Sequence, residues 1–367
     1  MWAAFRALFA AILADRAAAL LLFVSPLLYA GFYPSAYTGE VVVQAPVVVV
    51  DLDRSAASRG LITRLVAAQQ AQPVASLPSP AEAETWLAEG RAVAALIIPA
   101  DFGATIARGG SGTVLLTGHG AHLLRASTAL TGIGAALGQT GREAARDQAR
   151  AAGPPALPAL ALAPRPLFNT REGYGAAVFP GVAFVIVHQS LLLGLALLAG
   201  TARERLGRTL QLAPAQLAGI ALAAGCIGLA AVGWFAGMVF WLHDYPRAAA
   251  PFADVAIGAL LFVAATVAAA LALASLFRTR ERPLQLGLAI SLPLFFLSGL
   301  SWPPEATPTP LLILARLFPT TPGIELMIGL NQMGGRLADF GPAALNLAVL
   351  AAAMFAIALW RWTRPAQ

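Results

Sequence analysis

Two carboxylates and two histidines have spacings that occur in metal sites. Asp51-Leu52-Asp53 matches a pattern with which some transferases hold a divalent metal and a nucleotide-sugar. It also follows an apolar β-branched run, so a strand end and a helix cap explain both carboxylates. His119 and His122 are three positions apart, but no cysteine or third histidine lies near them. We therefore predict no metal site and no catalytic residue.

A further polar group lies inside a long apolar stretch. His188, Gln189 and Ser190 follow one another within the second of the segments that are apolar enough to cross a membrane. Polar side chains are costly in lipid, so those inside a span are candidates for a substrate path. The alternative is that Gln189 and Ser190 join helices by hydrogen bonds while His188 packs in the interior of a bundle or dimer.

The sequence contains 24 arginines and lysines together, and none of them is a lysine. A phosphate-binding loop of the GxxxxGK[ST] type needs a lysine to reach the β- and γ-phosphates. The chain therefore lacks this kind of ATPase site. Any nucleotide-driven work must come from a partner that uses ATP and magnesium, and we expect no cofactor on this chain.

The composition points to a membrane. Of the 367 residues, 58% are apolar and 11% are charged, against about 25% charged in an ordinary soluble domain. The pI near 10.4 does not indicate nucleic-acid binding, because the arginines are dispersed in short groups. They occur instead at the ends of apolar stretches, in four clusters: Arg6 and Arg16; Arg203, Arg205 and Arg208; Arg278, Arg280 and Arg282; Arg361 and Arg364.

The fold class that we predict is an α-helical polytopic membrane protein with six transmembrane helices. About 20 residues cross a hydrocarbon core of roughly 30 Å. Six segments meet this length approximately: Ala17–Tyr33, Ala177–Gly200, Gln216–Leu242, Val255–Phe277, Leu284–Leu300 and Pro342–Trp360. Threaded in this way, the chain has all four arginine clusters on one side, which the positive-inside rule makes cytoplasmic together with both termini.

We expect four regions along the chain. Residues 1–16 form a cytoplasmic amphipathic helix, with Trp2 at headgroup level, and residues 17–34 form the first transmembrane helix. Residues 35–173 form an extracytoplasmic α/β domain. Residues 174–367 form a five-helix transmembrane domain, whose outer segment 301–340 is re-entrant or interfacial. The first apolar segment is either an uncleaved anchor, which we favour, or a cleaved signal peptide.

The α/β prediction for residues 35–173 rests on alternating patterns. Val47–Val50, Ala92–Ile98 and Thr113–Leu116 have the composition of strands. The segments with helical patterns are Ser55–Gln70, Ala81–Glu89, Ala100–Arg108 and His122–Ala152. Strands that alternate with helices indicate a compact domain with a partly parallel sheet.

Several of these segments, taken together and in order, resemble the permease subunits of ABC exporters of the type-2 integral-membrane family, in the long form with a large external domain. The residues that carry this resemblance are Val50–Ser55 with Ser58-Arg59, Ile98–Phe102, Leu167–Asn169 before Tyr174, Phe179-Pro180-Gly181, Arg203–Arg205 with Gly207, and Ser298-Gly299 through Trp302-Pro303 to Asn331–Gly334. The family usually has a glycine directly followed by a threonine in the first inner loop. This chain departs from that pattern, because Arg208 separates Gly207 from Thr209.

The resemblance implies a homodimer or heterodimer of six-span permeases bound to cytoplasmic ATPases in the bacterial inner membrane. Such a dimer would export drug-like or amphiphilic molecules, in some cases with a periplasmic adaptor. It also implies a coupling helix that contacts the ATPase, formed by Arg203, Glu204, Arg205, Gly207, Arg208 and Thr209. From the residues alone, the same charges would equally serve to retain this loop in the cytoplasm.

Two other classes of function are weighed against this one. An ion-coupled secondary drug exporter normally carries Asp or Glu inside its spans, and the predicted spans contain none. A membrane-anchored sensor or enzyme would use the external domain, but no arrangement of a nucleophile and a base is visible there.

Overall fold

The computed structural model describes residues 1–38, 43–152, 168–169, 173–206, 210–247 and 250–364. The chain divides into two compact units. One contains Met1–Glu40 and Arg165–Gln367, and the other contains Val41–Pro164. Gly207, Arg208, Thr209 and Leu167, which the sequence analysis singled out, lie outside the described residues.

The first unit is helical. It begins with α1 (Trp2–Ala14), which ends where the backbone of Asp15 is extended. Within the described residues, five helices are long and apolar enough to cross a membrane: α2 (Arg16–Ala36), α7 (Tyr174–Leu206), α8 (Pro214–Leu242), α9 (Phe252–Ala274) and the last helix, which starts at Leu337 and whose regular part is α13 (Gly341–Thr363). π-helical turns interrupt α2 at Leu20–Val24 and α8 at Trp234–Val239.

The predicted fifth span, Leu284–Leu300, begins and ends a few residues earlier in the structure. It is α10 (Arg282–Leu297), a helix of 16 residues that rises about 24 Å, against the roughly 30 Å of a hydrocarbon core. It ends before Gly299, whose φ of +82° is in the left-handed region that favours glycine. Two further helices, α11 (Thr309–Ala315) and α12 (Thr320–Asn331), meet at a bend of 80° and are together apolar enough for a broken span or a re-entrant loop.

Helix α7 is the centre of this unit. Most of its length is buried, and it packs against α2, α9, α10 and α12. Buried phenylalanines from three helices meet edge to face around it, such as Phe184 with Phe240 and with Phe262. Small residues allow close helix approach, since a Cβ at Gly228 would lie 2.7 Å from Val263. The unit is therefore a tightly packed helix bundle.

The second unit is a small α/β domain. Its strands are β1 (Ala45–Asp51), β2 (Ala71–Ser76), β3 (Ala94–Ile98) and β4 (Leu115–Gly118), in the order β2-β1-β3-β4. β1 is parallel to β2 and β3, and β4 is antiparallel to β3. The helices are α3 (Ala56–Val66), α4 (Pro80–Ala88), α5 (Phe102–Ala107) and α6 (Leu123–Ala152). The prediction of a partly parallel sheet is thus confirmed.

Strand β2 was not predicted from the sequence. This strand lies at the edge of the sheet, carries Pro73, and slips its register with β1 between Val47 and Val48. Proline lacks the N–H that a central strand needs, so it weakens a strand pattern and is tolerated at an edge or a bulge. The Ala71–Ser76 segment therefore lacks the apolar, β-branched signal that identified β1 and β3.

Candidate functional site

In the part of the chain that the structure describes, the ends of seven helices meet at one end of the helical unit, which we call the arginine-rich end. The carbonyl oxygen of Trp362, near the end of α13, accepts a hydrogen bond from the backbone of Leu212, just before α8. Arg203 of α7 donates to the carbonyl of Ala274, the last residue of α9. Asp15, between α1 and α2, is paired with Arg280, just before α10. Members of all four arginine clusters are thus brought to one end.

Asp15, Thr201, Glu204 and Arg280 form a polar cluster that we call the junction. The Asp15 carboxylate accepts from both terminal nitrogens of Arg280, at 2.5 and 2.9 Å. Arg280 also donates to the Thr201 hydroxyl at 3.3 Å, and its backbone N–H donates to the Glu204 carboxylate at 2.8 Å. The junction therefore fastens the start of α2 and the start of α10 to the last turns of α7.

Asp15 has two roles in this cluster. Its carboxylate also accepts from the backbone N–H groups of Ala17 and Ala18 and so caps the N-terminus of α2. Its side chain is 4% exposed. Burial alone raises the pKa of this carboxyl, but the hydrogen bonds from Arg280, Ala18 and Ala17 and the charge of Arg280 outweigh burial, so its pKa lies below the ordinary value of 3.8. Asp15 is therefore a carboxylate at neutral pH.

A very close backbone approach supports the junction. A Cβ placed on Gly200 of α7 would lie 2.4 Å from the carbonyl oxygen of Thr279. No side chain fits at that distance, so the 278–282 segment lies directly against α7 only because position 200 is glycine. The junction hydrogen bonds depend on this approach.

The junction was not predicted from the sequence, although the sequence contains a signal for it. Asp15 is the only acidic residue among the first 39 residues, and it stands next to Arg16 between two apolar stretches. A carboxylate in such a position is rarely buried unless it is paired. That signal identifies Asp15 as a residue with a partner, but only the fold shows that the partner is Arg280.

The described part of the predicted coupling segment lies at the end of α7. Arg203 donates to the carbonyls of Ala274 and Phe277, and its guanidinium lies 4.4 Å from the centre of the Trp362 ring. Glu204 belongs to the junction, and Arg205 is exposed. Of these three side chains, two hold neighbouring helix ends and one points to solvent, so they have different structural roles.

The predicted substrate-path residues separate in the structure. His188 is 1% exposed within the core of the helical unit, and neither ring nitrogen has a partner among the residues that the structure describes. Gln189 and Ser190 instead line a cavity of about 440 Å³ between α2, α7 and α10. Tyr29 and Ser25 of α2 line the same cavity, which gives it a polar side within apolar walls.

The carboxylates Asp51 and Asp53 of the α/β unit have structural roles. Asp51 accepts from the backbone of Asp53 and Arg54 and from the Ser58 hydroxyl, and Asp53 accepts from the backbone of Gly103. Ser55 caps α3. The rings of His119 and His122 are 4.6 Å apart, but no group of three potential metal ligands occurs within the described ranges.

The helical bundle and its arginine-rich end can be compared with known families. A family model described as "ABC-2 family transporter protein" matches residues 18–360, which is nearly the whole chain. The chain belongs to the ABC-2 transporter family. No individually curated protein matches it. The resemblance noted from the sequence is confirmed at the level of the family, and this ABC-2 protein is a multi-pass membrane protein.

Proposed function

We propose that this ABC-2 protein is the permease subunit of an ATP-driven exporter that moves a drug-like or amphiphilic molecule out across the bacterial inner membrane. The observation that carries the proposal is the junction, in a chain that matches the family over residues 18–360. Asp15 and Arg280 connect two other helices to the end of α7, beside the exposed Arg205. A force applied to that end therefore reaches α2 and α10 directly.

The proposed topology has six spans, with α10 counted among them and the arginine-rich end in the cytoplasm. Support comes from the positive-inside rule, because Arg16, Arg203, Arg280 and Arg361 belong to short segments at this end. The α/β unit then lies outside the cytoplasm. A periplasmic adaptor that contacts this unit, and a second permease subunit, identical or related, complete the proposed assembly.

The proposed energy source is a separate cytoplasmic ATPase that binds ATP and magnesium. Permeases of this family generally work with such a subunit, and the sequence lacks the lysine of a phosphate-binding loop. We propose that the chain is not itself an enzyme. The segment Arg203–Thr209 would contact the ATPase, with Arg205 as the side chain that is free to do so.

The proposed substrate path follows the cavity between α2, α7 and α10. Both polar atoms of the Gln189 amide are buried without a hydrogen-bond partner among the described residues. A buried amide without partners is costly, and a substrate that hydrogen-bonds to it would offset that cost. Gln189 and Ser190 are therefore assigned to the path, and His188 lies behind them in the core.

Co-purification tests the energy source. The tagged chain, extracted from its native cells in mild detergent, is expected to bring with it a vanadate-sensitive ATP hydrolysis activity. Inverted membrane vesicles should accumulate a fluorescent amphiphilic cation such as ethidium when ATP is added. Accumulation by the purified chain alone, driven by an ion gradient, would establish the secondary-transporter class instead.

A charge reversal tests the coupling segment. Arg205→Glu changes an exposed side chain and leaves the Glu204 hydrogen bond to Arg280 in place, so the variant should fold normally. We expect at least a several-fold drop in ethidium transported per ATP hydrolysed. Arg364→Glu is the matched control, because it makes the same charge change at the same end. Equal transport per ATP in both variants would exclude Arg205 from coupling.

A further inference from the structure

An apolar cavity of about 410 Å³ lies at the arginine-rich end, separate from the one that holds Gln189. Alanines of α1, including Ala7 and Ala11, form one wall. The other walls come from α7, α8, α9 and the Trp362 ring of α13. Its volume is within the roughly 300–1,000 Å³ of small-molecule pockets. The lining contains little that could hydrogen-bond, so an occupant must present an apolar chain here.

Three arginines lie beside this cavity, and we call them the arginine triad: Arg203, Arg278 and Arg361. The Arg203 guanidinium stacks over Trp362 and donates to the Ala274 carbonyl, and both of these residues line the cavity. Arg361 donates to the hydroxyl of Ser275, which follows Ala274, and Arg278 follows Phe277, whose carbonyl also accepts from Arg203. Three like charges therefore converge at one edge of an apolar space.

No carboxylate pairs with the triad among the residues that the structure describes. Arg203 binds two backbone carbonyls, and Arg361 donates to the Ser275 hydroxyl. Of the acids at this end, Asp15 pairs with the Arg280 side chain, Glu204 accepts from the Arg280 backbone, and Glu281 is exposed. Arg203 is half-buried, and Arg278 and Arg361 are exposed. Like charges that repel one another favour the binding of an anion.

We propose that this site binds an anionic membrane phospholipid, with one acyl chain in the apolar cavity and the phosphate at the arginine triad. Each part of the ligand matches one part of the site. Arginine donates well to phosphate oxygens, and basic pockets at helix ends bind anionic headgroups. A protein partner would supply carboxylates to the triad but would leave the adjacent 410 Å³ apolar cavity unfilled.

The location is consistent with a lipid of the surrounding bilayer. The triad lies at the ends of three apolar helices, the depth at which headgroups lie. On α1, which forms one cavity wall, the Trp2 side chain is exposed and stacks on Phe5. Interfacial helices of this kind place aromatic rings among headgroups. An acyl chain can therefore enter the cavity from the membrane without passing through water.

Native mass spectrometry of the purified full-length chain tests the site, and it needs neither ATP nor a partner. The probes are dioleoyl-phosphatidylglycerol, dioleoyl-phosphatidylcholine and free oleate. The double variant Arg278→Gln/Arg361→Gln should bind phosphatidylglycerol about tenfold more weakly than wild type, since each arginine near an anionic headgroup contributes favourably. Arg6→Gln/Arg364→Gln removes the same charge at the same end and should bind as wild type does.

A second variant tests the cavity independently of charge. Ala7 faces the cavity from α1 and is exposed, so Ala7→Phe fills the space without disturbing the core. It should also lose most bound phosphatidylglycerol while it keeps the elution volume and unfolding midpoint of the wild type. Wild-type binding by the triad variant or by Ala7→Phe, equal binding of phosphatidylcholine, or binding of oleate alone would each overturn the proposal.

Discussion

Asp15 shows how one side chain can link the N-terminal region of this ABC-2 protein to two other segments. It caps α2 and pairs with Arg280, which also contacts Thr201 and Glu204. Asp15 is nearly inaccessible, whereas the Arg280 side chain is 36% exposed. Solvent at the arginine therefore weakens the pair relative to a fully buried one.

Asp15→Asn should lower stability while it preserves the cap, because asparagine is also a good N-cap residue. We expect a loss of about 2–3 kcal/mol, below the roughly 3–5 kcal/mol for breaking a fully buried pair. The measurement is the unfolding midpoint of the purified protein at pH 7. Asp15→Ala, which also removes the cap, should be destabilised further; equal midpoints for Asp15→Asn and wild type would show that the pair is not stabilising.

The effect of Asp15→Asn should also depend on pH in a defined direction. The folded-state pKa of Asp15 lies below its ordinary value of 3.8. The stability that ionised Asp15 contributes is thus fully present above about pH 4 and is lost as the pH falls through the lower, folded-state pKa. The difference between wild type and variant should be constant from pH 7 to 5 and shrink below pH 4. A difference that grows on acidification would contradict this assignment.

We expect His188 to be a packing residue of the core and its neighbour Gln189 to belong to the substrate path. His188 is buried without a hydrogen-bond partner among the described residues. His188→Leu removes this unsatisfied polar group, so it should raise the free energy of unfolding by about 1 kcal/mol. A higher unfolding midpoint would show this. Ethidium transport should persist. Gln189→Leu should instead reduce transport several-fold. Its control is Gln332→Leu, which removes an amide that lies outside that cavity and also has no partner among the described residues. Loss of transport in His188→Leu but not in Gln189→Leu would show that His188, and not Gln189, belongs to the substrate path.

At the scale of elements, α1 packs closely against the helical unit, which a helix lying only in the membrane interface would not require. Leu8 and Ile12 are buried, and a Cβ on Gly219 of α8 would lie 2.2 Å from the Met1 carbonyl oxygen. Trp2, which the sequence pattern places at headgroup level, is exposed, and so is Leu13. Helix α1 thus has one face for α8 and another for its surroundings.

Gly219→Val should therefore separate α1 from α8. The side chain would overlap the Met1 carbonyl, and overpacking of this kind costs about 1–3 kcal/mol. The control is Gly225→Val on the same helix, where a Cβ would meet nothing within 4 Å. We expect a lower unfolding midpoint for Gly219→Val only. Equal midpoints for the two variants would mean that the contact between α1 and α8 contributes nothing to stability.

At the scale of the whole molecule, the proposed topology makes a labelling prediction. The chain has one cysteine, so Cys226→Ser gives a cysteine-free background. Single cysteines are then placed at Ser111 in the α/β unit and at Arg205, both of which are exposed. A thiol reagent that cannot cross the inner membrane should label position 111 in intact cells and position 205 only after lysis. Labelling of position 205 in intact cells would show that the chain has the opposite orientation in the membrane.

Much of the fold could be predicted from local patterns. Strands β1 and β3 carry strong apolar signals, and so do the long helices, because a segment buried on all sides or embedded in lipid must be apolar along its length. Strand β2 could not be predicted, since its pairing with β1 compensates for Pro73 and a weak pattern. The end of α10, at Leu297 and not Leu300, was also missed, because the backbone of Gly299 ends the helix within an apolar stretch.

For the candidate site, sequence determined which residue types were present, and tertiary structure decided which of them meet. The family, the apolar spans and the lack of lysine follow from composition and order, which do not depend on contacts. That Asp15 pairs with an arginine 265 positions away, that His188 and Gln189 separate, and that three arginines converge beside an apolar cavity are consequences of helix packing. A local pattern determines which face of a helix is apolar, but the neighbour of that face is set by the folding of the whole chain.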